Sequence, residues 1–258
     1  MTVRSLLAAS AALLMTSAAV NAAQVAALIG NDTIAMVDTA QKKATGSVKV
    51  TGISGALVGI DVRPADGMLY GLVDDGTVVT IAKDGKATVK SKLETTLAKG
   101  VTATVDFNPV ADRLRVMGSD GMSLRANVDD GKVTKDGDHK YAETDMHKGE
   151  KPNVVAGAYT NSVKGAKETA LFNIDGTIGA LVKQAPPNDG ILGAVGKLGI
   201  KGDKVAFDIW SDGNGKNEAW MMAGDTLYSV DLGTGKATEA AKISGVTGTV
   251  KDIAILGM

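Results

Sequence analysis

Apolar and polar residues alternate one for one along many short stretches of this chain, and a glycine-containing turn closes most of them. Ala87-Thr88-Val89-Lys90 shows the pattern: a period of two, which sets one face of a strand against a core and the other in water. Such stretches come in pairs around a tight turn. Residues 32–50, 76–93, 121–138, 169–184 and 225–243 each read as a β-hairpin, with Asp-Gly or Thr-Gly in four of the turns and Gln-Lys-Lys in the first.

More apolar segments recur between the hairpins: "LVGIDV" (57–62), "TATVDF" (102–107), "VVAGAYT" (154–160), "KVAFDI" (204–209) and "VKDIAIL" (250–256). Near-continuous apolar runs fit strands covered on both faces. A further strand candidate, such as "GMLYGL" (67–72) or "DRLRVMG" (112–118), lies between an inner segment and its hairpin. Each unit therefore predicts four strands. The inner segments start near residues 57, 102, 154, 204 and 250, a repeat of about 45 to 52 residues. Four strands on such a period predict an all-β protein, a β-propeller of five four-stranded blades. The first hairpin has only "QVAALIG" (24–30) before it, and the last inner segment has no hairpin after it. N-terminal strands pairing with the C-terminal strand would complete a blade and close the ring, which removes an exposed sheet edge. A β-sandwich, or a sixth blade built from the poorly patterned residues 138–153, would be the competing arrangements.

Two corners repeat closely. "GIDVRPADGMLYGL" (59–72) and "TVDFNPVADRLRVMG" (104–118) both carry an Asp, a polar residue, a Pro and an Ala-Asp before a return to apolar residues. Equivalent turns of successive blades explain this, since Pro fixes φ and Asp accepts backbone N–H groups in a turn. With "AYTN" and "QAPPNDGILGAVGKLG", these motifs occur in order over nearly the whole chain, and in this the sequence resembles the bacterial DUF4394 family. The resemblance implies a β-propeller and brings no activity with it.

Composition narrows the setting. Residues 1–22 read as a secretory signal peptide: Arg4, an apolar run from Leu6 to Val20, and small residues at Val20 and Ala22, with cleavage after Ala22 or, alternatively, Ala23. The run is shorter than the roughly 20 residues a bilayer requires. A single domain over residues 23–258, periplasmic or secreted, monomeric and without a membrane span once the signal is removed, is the expected product. The chain has no cysteine, so neither disulfides nor thiol chemistry enter. A net charge of -1, with no basic stripe interleaved with aromatics, argues against nucleic acid as a partner.

Candidate chemistry is sparse. After Arg4 the remaining arginines are Arg63, Arg113, Arg115 and Arg125, gathered in one quarter of a lysine-rich chain. The guanidinium fork suits a carboxylate or phosphate, so these residues, with Asp66, Asn108, Asp112, Asn161, Asn188 and Asp189 on neighbouring turns, form the candidate binding set. Arg63, Asn108 and Asn161 follow inner strands and are expected on one face. "QAPPNDG" (184–190) is either a connection or a cover over that face. The plain alternative is salt bridging to nearby aspartates. A small anionic ligand or a protein segment is the expected partner, with no cofactor. His139 and His147 lack the spacing of a zinc site, and "SDGNGKNE" (211–218) reads as a solvated turn rather than a calcium loop, so no metal is expected. No serine, histidine and aspartate stand in a recognisable nucleophilic arrangement. Asp61 and Asp106, set inside apolar strands, leave open a carboxylate-dependent enzyme of the hydrolase or lyase type, against a purely structural use of both.

Overall fold

The structure, a computed structural model, describes residues 23–257; the signal peptide expected over residues 1–22 lies outside them. Five sheets, antiparallel but for one edge pairing, stand around one axis, and each inner strand packs against the inner strands of its two neighbours. The second blade holds β4 (Leu57–Val62), β5 (Leu69–Val73), β6 (Thr77–Ile81) and β7 (Ala87–Lys92) from axis to periphery. The third holds β8 (Ala103–Asn108), β9 (Arg113–Gly118), β10 (Ser123–Ala126) and the short β11 (Val133–Lys135). The fifth holds β17 (Ala206–Ser211), β18 (Asn217–Ala223), β19 (Thr226–Val230) and β20 (Ala237–Lys242).

The first blade closes the ring as the sequence predicts. Its inner strand is β21 (Val250–Gly257), followed outward by β1 (Gln24–Ile29), β2 (Thr33–Asp38) and β3 (Lys43–Lys49). Ile253 lies opposite Ala27, and Ala254 opposite Ala26.

The fourth blade departs from the four-stranded expectation. Beyond β13 (Val154–Tyr159), β14 (Leu171–Asp175), β15 (Ala180–Gln184) and β16 (Ile191–Lys197) it carries a fifth strand, β12 (Lys140–Tyr141), parallel to β16. Two residues of parallel edge pairing leave no period to read, which is why residues 138–153 appeared patternless. They add this edge rather than a sixth blade.

Apolar burial between blades holds the ring. Ala27, Val37, Met222 and Ile253 meet between blades five and one; Ile174, Leu181, Phe207 and Met221 meet between four and five. An aromatic edge contact, Tyr70 against Phe107 at 5.2 Å between ring centroids, joins blades two and three. No helix of the described residues is long and apolar enough to cross a membrane.

Candidate functional site

An inner strand pairs with its own blade on one side only. Its other edge turns N–H groups toward the axis and the next blade, where water is scarce, and buried unpaired N–H groups are costly. Aspartates meet this need. Asp61 Oδ2 accepts the Phe107 N–H at 2.6 Å, Asp106 Oδ1 that of Tyr159 at 2.9 Å, Asp208 Oδ2 that of Ile255 at 2.7 Å, and Asp252 Oδ2 that of Ile60 at 3.0 Å. The inner strand of each donor blade thus fastens to the next. Gly59 makes room for the last of these ties, because a Cβ there would come within 2.9 Å of Asp252 Oδ2 and 2.6 Å of Val105. The fourth blade has Ala158 in the Asp106 slot, so it sends no carboxylate to blade five.

Asp61, Asp106 and Asp208 reach one level of the axis, and each offers a carboxylate oxygen within 4.8 Å of the others. All three are buried. Desolvation is the main force raising each carboxyl above its ordinary range; the neighbouring carboxylates add to it for Asp61 and Asp106, and Asp208 is pushed up to about 6. Among the described residues this is the group whose donor set suits a metal ion. Asp61 and Asp208 already accept an N–H on both oxygens, and protonation of a carboxyl at this level relieves the repulsion. Sequence reasoning singled out Asp61 and Asp106 but not Asp208. Its signal was present: "FDI" at 207–209 stands in the slot of "IDV" and "VDF".

A titration result follows. A carboxyl raised above its unfolded value stabilises the fold fully below that value, and the contribution is lost as pH rises through about 6. For Asp208 this amounts to on the order of 2–3 kcal/mol. The stability deficit of Asp208→Asn relative to wild type should therefore shrink as pH is raised from 4.5 to 7.5, measured by chemical denaturation at each pH. A deficit that grows with pH would contradict an Asp208 carboxyl raised by burial.

Below this level the axis widens into a funnel of about 550 Å³. Val58, Ala103, Val155, Val205 and Val250, at or beside the starts of the inner strands, form its wall, with Leu72, Leu97 and Val101. The carboxyl level lies about three residues further along the same strands, roughly 10 Å deeper at the rise of a strand. Lys99, Lys204 and Lys251 stand at the mouth beside Asp74 and Asp203. Lys251 Nζ reaches Asn31 Oδ1 at 2.7 Å, whereas Lys99 and Lys204 make no ion pair among the described residues. These valines were legible as strand residues, but their meeting at one mouth is a product of the ring.

The residues proposed from sequence fall into several groups. Arg63 forks onto Asp112 at 2.8 and 2.6 Å and onto Asp129 at 3.2 and 2.9 Å, with Asp66 and Tyr70 beside it. The two similar corners thus clasp one another across blades two and three. Arg63 holds Asp129 down at about 2, and Lys90 assists. Arg115 donates to Tyr159, Ser123, Asp136 and Asn188, and Arg125 forks onto the same Asp136. Asn108 closes its own turn by accepting from Val110 and Ala111, and Arg113 bonds the carbonyls of Ala111 and Asp112. Asn161 exchanges hydrogen bonds with Asn217 of blade five. Arg63 and Asn161 therefore serve two separate junctions between blades, and Asn108 serves its own turn. Residues 184–190 form the turn between β15 and β16, with a single turn of 3-10 helix at Pro187–Asp189, and Asn188 points to Arg115 while Asp189 is exposed. In residues 211–218 Asp212 Oδ1 accepts from Asn214 and Lys216 and closes the turn on itself.

Fold and motifs together define a five-bladed β-propeller. The chain belongs to the domain of unknown function family DUF4394, whose model matches residues 33–254. No curated protein matches its sequence. Among solved structures it is similar to a protein of unknown function from Bacteroides thetaiotaomicron VPI-5482, with 16% identity and a TM-score of 0.54 over 94% of this chain and 66% of that one. A protein of unknown function from Bacteroides caccae is similar at 14% identity and a TM-score of 0.46, over 89% of this chain and 77% of that one.

Proposed function

We propose that this protein is an exported binding module that receives a small organic anion with an apolar body in the axial funnel. One observation carries this reading: an apolar-walled cavity of about 550 Å³ on the axis, with ammonium groups at its mouth. Cavities of this size and lining are the usual form of small-molecule sites. The valine wall supplies contact area, and Lys99 and Lys204 supply charge where an acidic head group would emerge. The arginines are less available for such a role, because Arg63, Arg115 and Arg125 each face carboxylates of the fold. Export is supported by the charge, length and small-residue ending of residues 1–22.

Anilinonaphthalene sulfonate has both required parts and reports entry by its fluorescence. Saturable binding to the native protein is expected. Val205→Trp, which fills the funnel, should abolish it, and Lys99→Glu with Lys204→Glu should weaken it by roughly 2- to 5-fold per lysine. Undiminished binding to Val205→Trp would overturn the assignment of the site.

A further inference from the structure

The five junctions between blades are not alike. Four are lined by continuous apolar clusters, whereas the junction of blades three and four has a smaller one, and buried Arg115, Ser123, His139, Asn173, Asp175 and Gln184 share the space with it. Most of these polar groups are partnered. Tyr141 donates to Asp175 at 2.7 Å, Asn173 to Gln184 at 2.7 Å, and Gln184 to the Pro187 carbonyl at 2.6 Å. His139 is not: it is 7% exposed, and neither ring nitrogen has a hydrogen-bond partner.

His139 also sits at a crossing point. Residues 136–142 leave blade three and run to the outer edge of blade four. The His139 N–H donates back to the Gly121 carbonyl of blade three, while Lys140 and Ala142 donate to Gly190 and Leu192 of blade four, and Gly137 donates to Asn188. We propose that His139 is an acid-operated latch, whose protonation releases the 136–142 strap and opens the junction between blades three and four.

The surroundings are arranged against a second ring proton. The Arg115 guanidinium of β9 lies near enough to oppose it. The carboxylates on that side are committed elsewhere: Asp136 to Arg115 and Arg125, Asp138 to Lys135, Asp120 to the Met122 N–H, and Asp175 to Tyr141 and the Asn153 N–H. Burial first and Arg115 second push the imidazole down to about 4, against a small opposing pull from Asp138, Asp120 and Asp175. A depressed histidine stabilises the closed strap fully above its unfolded value of 6.5, and the contribution is lost as pH falls through about 4. Between pH 7.5 and 4.5 the strap-opening equilibrium should rise roughly 50- to 100-fold.

Hydrogen exchange of the full mature chain reads this locally. Protection of a peptide covering 136–142, corrected for the intrinsic rate, should fall by that factor at pH 4.5, while a peptide covering 24–38 should not follow it. His139→Leu should remove the pH dependence. Equal protection at both pH values, or the same dependence in His139→Leu, would overturn the latch. If that variant does not fold, an NMR titration of the wild-type imidazole decides, with His147→Gln separating the two histidine signals. A midpoint below 5 supports the latch, and one at 5 or above overturns it.

Discussion

Removing residues 250–258 should abolish the fold rather than trim it. These residues supply the whole inner strand of the first blade, and β1 has no other partner on its axial side. Three large aliphatic side chains, Val250, Ile253 and Ile255, leave the core with them. At about 1.5–3 kcal/mol each, their burial is worth about 5–9 kcal/mol, against a total stability of about 5–15 kcal/mol for a typical domain. Two inter-blade ties go as well, Asp252 to Ile60 and Ile255 to Asp208, so buried groups in blades two and five lose their partners. Circular dichroism should show no cooperative thermal transition, and size-exclusion chromatography should show aggregate or an expanded chain. A cooperative melt within a few degrees of the full-length protein would mean that the sharing of one blade by both ends is not what holds the ring.

Arg115→Met is the single substitution expected to cost most. The side chain is 1% exposed and its partner Asp136 4%. Methionine fills much of the volume but donates nothing, so Tyr159 Oη, Ser123 Oγ and Asn188 Oδ1 lose a donor together and Asp136 keeps only Arg125. Breaking a buried pair from one side costs about 3–5 kcal/mol, chiefly because the remaining charge stays buried. For a domain of this size that corresponds to a fall in Tm of roughly 6–20 °C. Arg125→Met is the control. Its side chain is 30% exposed and it shares Asp136 with a second arginine, so about 1 kcal/mol is expected. Calorimetry of the two variants under one condition tests the difference, and an Arg115 variant no less stable than the Arg125 variant would refute it.

How much was legible before the structure depends on the scale of the signal. The hairpins repeat one turn chemistry, so blade number and closure could be counted from spacing. Lys140–Tyr141 could not, because pairing to β16 depends on where blade four stands and not on any period in those residues. The salt-bridge alternative holds for Arg63, which Asp66 and Asp112 face, but spacing along the chain does not point to Asp129 or Asp136. Each is a turn or edge residue whose reach is set by the angle between blades. The funnel was hidden for another reason. A valine at the start of an inner strand looks the same whether it ends in a packed core or at an opening, and only four of them, with Ala103, around one axis make a cavity.

The carboxyl level has a consequence for how the whole molecule responds to its surroundings. It gains from protons, whereas the imidazole between blades three and four resists them. A change from neutral to acidic medium therefore acts in opposite directions on two regions of one rigid body. The hub tightens as its negative charges are quenched, and one spoke at the periphery works loose.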